Sequence, residues 1–166
     1  MRKVIKETIV YTFDELSEDG KESALDNLRD INVDFDWWNS VYEDAERAGL
    51  KITAFDTYHG TIDGSLIDDA ETSIDSILEE HGQITDTYTL ASEYKIIIEV
   101  QRMELEDDAD ECDELDDIEQ EYEYALLQKY LSMLRQEYEY QTSDEGIKET
   151  IEANEYEFTE DGSIYR

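Results

Sequence analysis

The sequence predicts an α+β protein that is dominated by helices and carries a small antiparallel sheet. In most segments, apolar residues recur at three- and four-residue steps, which is the spacing of an amphipathic helix. Strict alternation is confined to the N-terminus and to residues near 50–56. The 166 residues are 39% hydrophobic and include 12 tyrosines. This apolar content is sufficient for a folded core, and we expect residues 1–166 to form a single domain.

The N-terminal third is predicted to contain one strand and two helices. Residues 3–13 alternate between apolar and polar side chains and are predicted as a strand. Ser17 is the predicted N-cap of the first helix, and Asp34 or Asp36 is that of the second. We expect the second helix to end at Gly49, because glycine readily adopts the left-handed conformation that follows many helices.

The middle of the chain is predicted to contain a second strand and two further helices. The strand covers residues near 50–56 and is followed by a glycine-containing loop over 56–65. A helix is predicted from about Leu66 to His81. Residues 86–103 fit both a strand and a helix, and the spacing of their apolar residues favours the helix.

A long acidic segment, residues 104–140, contains no helix-breaking residue. We predict one continuous helix there, about 50 Å long at a rise of 1.5 Å per residue. Thr142 or Ser143 is expected to cap a short helix that follows. The turn signal Glu160-Asp161-Gly162 then predicts a C-terminal hairpin, the third component of the sheet.

Charge is the property of this sequence that most restricts its function. The chain has 47 acidic and 13 basic residues, a formal net charge of -34. Solubility requires a net charge of only about 2–8 in a small domain, and self-repulsion at a higher charge destabilises the fold. The charge therefore indicates a basic partner or an unusual solvent. It excludes direct binding to nucleic acid and to an anionic membrane.

Very high salt is the alternative explanation, because halophilic proteins also carry acidic surfaces. We expect salt-adapted chains to contain few large aliphatic residues, whereas this chain has the run Ile96–Ile98. Cys112 is the only cysteine, so no intrachain disulfide can form. No signal peptide and no apolar run of about 18 residues is recognisable, and we expect a protein of the cytoplasm.

The acids are concentrated in two stretches without lysine or arginine, one between Lys51 and Lys95 and one between Arg102 and Lys129. These stretches supply the candidate partner-binding residues: Asp68, Asp69, Glu71, Asp75, Glu79, Glu80, Asp107, Asp108, Asp110, Glu111, Asp113, Glu114, Asp116, Asp117, Glu119 and Glu121.

Helical spacing suggests how such acids could act. Side chains three or four residues apart on a helix lie about 5–6 Å from each other. The row Asp107, Glu111, Glu114 and Asp117 would therefore present carboxylates at intervals similar to those of phosphates along a DNA strand, which rise about 3.4 Å each. A solvated helix face is the alternative interpretation.

Other chemistry is scarce. His81 precedes a helix-ending glycine, where a histidine is favourable with the helix dipole, and His59 lies far from it in sequence. Carboxylate pairs are so frequent that they carry no catalytic signal. Residues 108–113 resemble the start of a calcium loop but have aspartate where the turn requires glycine. We therefore predict no enzyme, no cofactor and no specific metal site.

Aromatic residues accompany the acids. Trp37 and Trp38 are expected to pack in the core. Five tyrosines in the second half of the chain are compatible with either a stacking surface or the interface of a homodimer: Tyr122, Tyr124, Tyr130, Tyr138 and Tyr140.

Four runs of sequence resemble a family of small acidic proteins from phages and prophages: YTFDELS at 11–17, DFDWW at 34–38, YEDA at 42–45 and TIEANEYEFTEDG at 150–162. The resemblance implies a mobile element acting inside a bacterium. In charge, the chain is similar to DNA-mimic inhibitors of restriction enzymes and of CRISPR effectors. We expect a non-enzymatic inhibitor that competes for the nucleic-acid site of a basic host protein. The alternative is an acidic antitoxin or adaptor that neutralises one basic partner.

Overall fold

The computed structural model describes residues 7–104 and 111–165, with the backbone alone of Glu104 and of residues 111–113. These residues form six α-helices and one two-stranded antiparallel sheet. The predicted helix-dominated α+β class is therefore confirmed. The chain divides into two compact units, the described residues of Met1–Trp37 with Glu137–Arg166 (unit 1) and those of Trp38–Gln136 (unit 2).

Unit 1 contains helices α1 (Glu18–Asn27) and α6 (Asp144–Ala153). The hydroxyl of Ser17 accepts a hydrogen bond from the Gly20 N–H at 3.1 Å, and that of Ser143 accepts one from the Gly146 N–H at 3.1 Å. Both serines are N-caps, Ser17 as predicted and Ser143 as one of the two residues predicted for that position. The core of the unit consists of Leu16, Ala24, Leu25, Leu28, Ile147, Ile151 and Phe158.

Of the strand predicted over 3–13, residues 3–6 lie outside the described residues, and residues 7–13, like the predicted C-terminal hairpin, are not part of the sheet. Their residues 7–13 and 155–165 are joined only by isolated bridges, from Tyr11 to Phe158 and from Phe158 to Ile164. The Glu15 carboxylate accepts a hydrogen bond from the Thr12 N–H at 2.9 Å, which starts a short 3₁₀ turn at Phe13–Glu15. This local capping interaction ends the extended conformation that alternation predicts.

Unit 2 begins with helix α2 (Asn39–Arg47), whose N-cap is Trp38. The prediction of Asp34 or Asp36 as the cap was therefore wrong, because the backbone N–H groups of Val41 and Tyr42 both bond to the Trp38 carbonyl. The helix ends where predicted, since Gly49 follows it with a φ of 77°.

A β-hairpin follows, formed by β1 (Leu50–Asp56) and β2 (Thr61–Leu66), with an irregularity in register between Ile52 and Ala54. The loop predicted over 56–65 was wrong for most of its length. Its two glycines have different roles. Gly60, with a φ of 74°, closes the turn. Gly64 lies within β2, where neighbouring atoms leave no room for a Cβ.

Helices α3 (Ala70–Glu80), α4 (Asp86–Glu104) and α5 (Glu111–Gln141) complete the architecture. Helix α3 starts later than predicted, because Leu66 ends β2 and Asp69 provides the N-cap. Residues 86–103 are helical, as their apolar spacing favours. Of the helix predicted over 104–140, Glu104 belongs to α4 and Glu111–Gln141 forms α5, while residues 105–110 lie outside the described residues.

One side of α5 is buried at steps of one, three and four residues. Its fully buried or nearly buried side chains are Tyr122, Leu126, Leu127, Tyr130, Leu131 and Leu134. The helix has 31 residues and is about 46 Å long. Its buried side holds the other elements of unit 2 in place, and its opposite side remains free for acidic residues.

We expect Gly64→Ala to destabilise the protein by about 1–3 kcal/mol, the usual cost of overpacking. A Cβ at this position would lie 2.6 Å from the Lys51 carbonyl oxygen and 2.9 Å from Cδ2 of Leu127. Gly82→Ala is the matched control, since nothing lies within 4 Å of a Cβ there. Chemical denaturation measures both variants, and equal effects would contradict the close packing of β2.

Candidate functional site

The acids of the first predicted stretch lie at and along α3, and several are occupied by neighbouring groups. Asp69 accepts the Thr72 N–H at 2.8 Å, and this hydrogen bond, with that of the Thr72 hydroxyl, lowers the pKa of Asp69. Asp75 pairs with Lys95 at 2.9 Å. Asp69 therefore caps α3, and Asp75 forms an exposed ion pair between α3 and α4.

Two further acids of α3 are paired with arginines. Glu71 forms a salt bridge with Arg102 of α4, in which Nη1 lies 3.2 Å from Oε2. Glu80 lies 3.8 Å from Arg47 of α2. Asp68 and Glu79 are exposed and make no salt bridge within the part of the chain that the structure describes.

The second predicted stretch also contains carboxylates with a structural role. Glu119 on α5 is half-buried, and its Oε2 accepts the backbone N–H of Ala70, the first residue of α3, at 3.1 Å. Glu123 accepts the N–H of Leu66 at 2.9 Å. A carboxylate at a helix N-terminus satisfies a free N–H and is favourable with the helix dipole. These two acids fix the end of β2 and the start of α3 against α5.

The two acidic stretches meet in a small open cleft of about 170 Å³ between α3, α4 and α5. Its lining includes four of the predicted acids, two from each stretch, together with one base: Asp69, Glu71, Asp116, Glu119 and Arg102. Residues that are almost fifty positions apart in sequence are thus brought together. The cleft has an acidic excess that its single arginine does not balance.

The exposed acids of α5 form a row. Glu114, Asp117 and Glu121 are solvent-exposed, and steps of three and four residues place them on one face. At 1.5 Å per residue, they follow the helix axis at intervals of about 4.5 and 6 Å. The Glu114 carboxylate also accepts a hydrogen bond from Gln101 of α4. Asp117 and Glu121, like Asp116, make no salt bridge within the described residues.

Five predicted contact residues fall where side chains are not described. Asp107, Asp108 and Asp110 lie outside the described residues. Glu111 and Asp113 belong to the first turn of α5 by their backbone alone. The predicted row is therefore represented by Glu114 and Asp117.

The tyrosines predicted as a stacking surface or dimer interface have divided roles. Tyr122 bonds to the Ser73 hydroxyl at 2.9 Å, and burial raises its pKa to about 12. Tyr130 is fully buried, and its hydroxyl donates to Asp44 at 3.0 Å. In contrast, Tyr124 is 66% exposed and lies beside the acidic row of α5.

The remaining aromatic residues of that prediction lie in unit 1 or at its border. Tyr138 packs against Trp37 with ring centroids 5.6 Å apart, and Tyr140 donates to Glu149 at 2.6 Å. Trp38 packs against Phe55 in unit 2, also at 5.6 Å. Both tryptophans thus make aromatic contacts inside their own units, and Tyr124 is the most exposed of the five predicted tyrosines.

Both histidines are engaged in local contacts. Nδ1 of His81 lies 2.7 Å from the Thr87 hydroxyl, and Nε2 lies 3.8 Å from Asp44. His59 pairs with Asp56 at 2.6 Å in the hairpin turn. Within the described ranges, no group of three or more histidine, cysteine or acidic side chains is arranged to hold a metal ion.

An exposed apolar face on α4 was not predicted from the sequence. Ile96, Val100 and Met103 are 61%, 48% and 74% exposed, and Ile97 beside them is 43% exposed. The one signal in the sequence is the density of apolar residues over 94–103, because they occupy more of the helix circumference than a single buried face requires.

Comparison of the chain with protein-family models, with curated proteins and with solved structures finds no match in any of the three. Among the residues that the structure describes, no helix combines the length and apolar character needed to cross a membrane.

Proposed function

We propose that this protein is an inhibitor, carried by a phage or another mobile element, that occupies the basic nucleic-acid site of a bacterial defence nuclease or of another nucleic-acid-binding protein. The observation that carries the proposal is the row of exposed carboxylates Glu114, Asp117 and Glu121 on one face of α5. Restriction enzymes and CRISPR effectors are the target class. The protein acts in the host cytoplasm by occupying the site, without catalysis or a cofactor.

Mimicry of a phosphate backbone explains the row. Its side chains at three- and four-residue steps lie about 5–6 Å apart, similar to the through-space spacing of successive phosphates along a nucleic-acid strand, which is larger than their axial rise of about 3.4 Å. Tyr124, exposed beside the row, offers a flat surface where a base would stack. A groove rich in lysine and arginine would pair with these carboxylates and release its bound anions, as it does when it binds DNA.

The division of acids into paired and unpaired groups supports the same proposal. The paired carboxylates of α3 and α5 hold helices together, so folding explains their presence. Folding does not explain Asp116, Asp117 and Glu121, which are exposed and add like-charge repulsion at a cost of a few tenths of a kcal/mol per pair. Binding to a basic surface would relieve this repulsion and add attraction between opposite charges, which increases the affinity.

An acidic antitoxin or adaptor that neutralises one basic protein is the second candidate. The exposed face of Ile96, Val100 and Met103 on α4 favours it, because nucleic acid presents no comparable aliphatic surface. Such a partner would be recognised as a protein rather than through its nucleic-acid site.

Nucleic acid should compete with this protein for the partner. The chain would first be immobilised to capture its partner from a bacterial lysate, and the captured protein identified. In a titration at fixed salt, excess duplex or single-stranded nucleic acid should then displace the partner, because both ligands occupy one basic groove. A stable ternary complex of the three components at full occupancy would contradict mimicry and favour the antitoxin or adaptor.

Removal of four unpaired acids of unit 2 should weaken binding to that partner by roughly ten- to a hundredfold, since each lost charge pair reduces the affinity. The test variant combines Glu79→Gln, Asp116→Asn, Asp117→Asn and Glu121→Gln. The matched control removes the same number of each acid from exposed positions of unit 1 and combines Asp14→Asn, Glu22→Gln, Asp30→Asn and Glu152→Gln.

Isothermal titration calorimetry at two salt concentrations measures both variants. The control should bind within about twofold of the native protein, the difference expected from distant screened charges. Equal losses in the two variants would mean that net charge acts diffusely and that unit 2 holds no site.

A further inference from the structure

The exposed face of α4 is a continuous apolar row. Ile96, Val100 and Met103 follow each other at steps of four and three residues, which aligns them along about 10 Å of one helix face. Their exposed fractions are between 48% and 74%. Single exposed apolar residues are common on protein surfaces, but an aligned row in a chain of net charge -34 is not.

The orientation of α4 is fixed from both sides, so the row cannot turn into the core. Towards α3, Lys95 pairs with Asp75 at 2.9 Å, and Arg102 pairs with Glu71. Towards α5, the Tyr94 and Tyr122 rings lie 5.3 Å apart, and Gln101 donates to Glu114. The opposite side of α4 is occupied by the buried residues Leu90, Ala91 and Ile98.

Acids border the row on both flanks. Glu121 is an exposed residue of α5, and Glu93 is an exposed residue of α4 three positions before Ile96. Burial raises the pKa of Tyr94, and the charges of these two carboxylates raise it further. On the α3 side, Glu99 contributes to the raised pKa of Lys95 after the main effect of Asp75. Lys95 and Arg102 are paired with acids of α3. The unpaired charges that border the row are therefore negative.

We propose that the α4 face is the docking site for a basic amphipathic helix of the partner protein. Aliphatic side chains of that helix pack on Ile96, Val100 and Met103, and its lysines and arginines pair with the bordering acids. A second copy of this chain is a poor occupant, because it would bring another net charge of -34 to the same surface.

This inference rests on the proposed function in one respect, that the partner is a basic protein. It adds an apolar anchor that nucleic acid lacks. The anchor would let the chain select one partner among many basic proteins, since carboxylates alone attract all of them.

The test uses the full chain with a fluorescent peptide of about 18 residues, built from leucine and lysine so that one helical face is apolar. A scrambled peptide of the same composition, which has no apolar face, measures attraction by charge alone. The variant combines Ile96→Gln, Val100→Gln and Met103→Gln, which keeps the charge and the helix propensity. The control combines Ile67→Gln and Ile84→Gln, two exposed positions that lie outside α4 and its apolar row.

Fluorescence anisotropy should show that the α4 variant binds the amphipathic peptide about tenfold or more weakly, the usual effect of losing an apolar anchor. The α4 variant should bind the scrambled peptide within about twofold of the native protein. The control variant should bind both peptides within the same range. Equal binding of the amphipathic peptide by variant and native chain would overturn the proposal. A native dimer in sedimentation that the α4 variant abolishes would also overturn it, by assigning the row to a second copy.

The partner captured from lysate separates this inference from the proposed function. If the α4 variant loses that partner but nucleic acid does not compete, the docking site stands and mimicry fails. If nucleic acid competes and the α4 variant binds the partner normally, mimicry stands and the docking site fails.

Discussion

The packing of α5 against α2, α3 and α4 is the interaction on which the rest of unit 2 depends. Tyr122 contacts α3 through Ser73 and α4 through Tyr94, and Tyr130 donates to Asp44 of α2. Each leucine buried on the same side of α5 contributes about 1.5–3 kcal/mol, whereas a like-charge pair on a helix costs a few tenths. The buried side therefore outweighs the repulsion on the exposed side, and the helix can carry a surplus of acids.

The same helix separates the acids by role. Glu119 and Glu123 point into unit 2 and satisfy backbone N–H groups, so they belong to the folded structure. Asp117 and Glu121, on the exposed side, satisfy no group in the described residues and are available to a partner. The apolar row of α4 adds a surface on which a partner could pack its own apolar side chains. A protein built in this way can combine electrostatic attraction with a defined point of contact.

Local patterns in the sequence predict much of the fold. Ser17, Ser143 and Gly49 mark helix ends correctly, because caps depend on a few neighbouring residues. The strand β2 was missed because Gly64 resembles a loop residue until the approach of Leu127 is known. For the same reason, the hydrogen bond that Glu119 accepts from the start of α3 could not be predicted, since forty-nine positions separate it from Ala70. Periodicity predicts that α4 has apolar faces but not which of them stays uncovered.

The central claim, that folding requires the paired acids and not the unpaired ones, is tested most directly by two charge-matched double variants. Asp69→Ala with Glu119→Ala removes two carboxylates that bond to the start of α3. Asp117→Ala with Glu121→Ala removes two that bond to nothing in the described residues. Denaturant unfolding at low salt should show a loss of about 1–3 kcal/mol for the first and no loss, or a gain, for the second. An equal loss in the second variant would contradict the claim, because the exposed row would then be part of the fold.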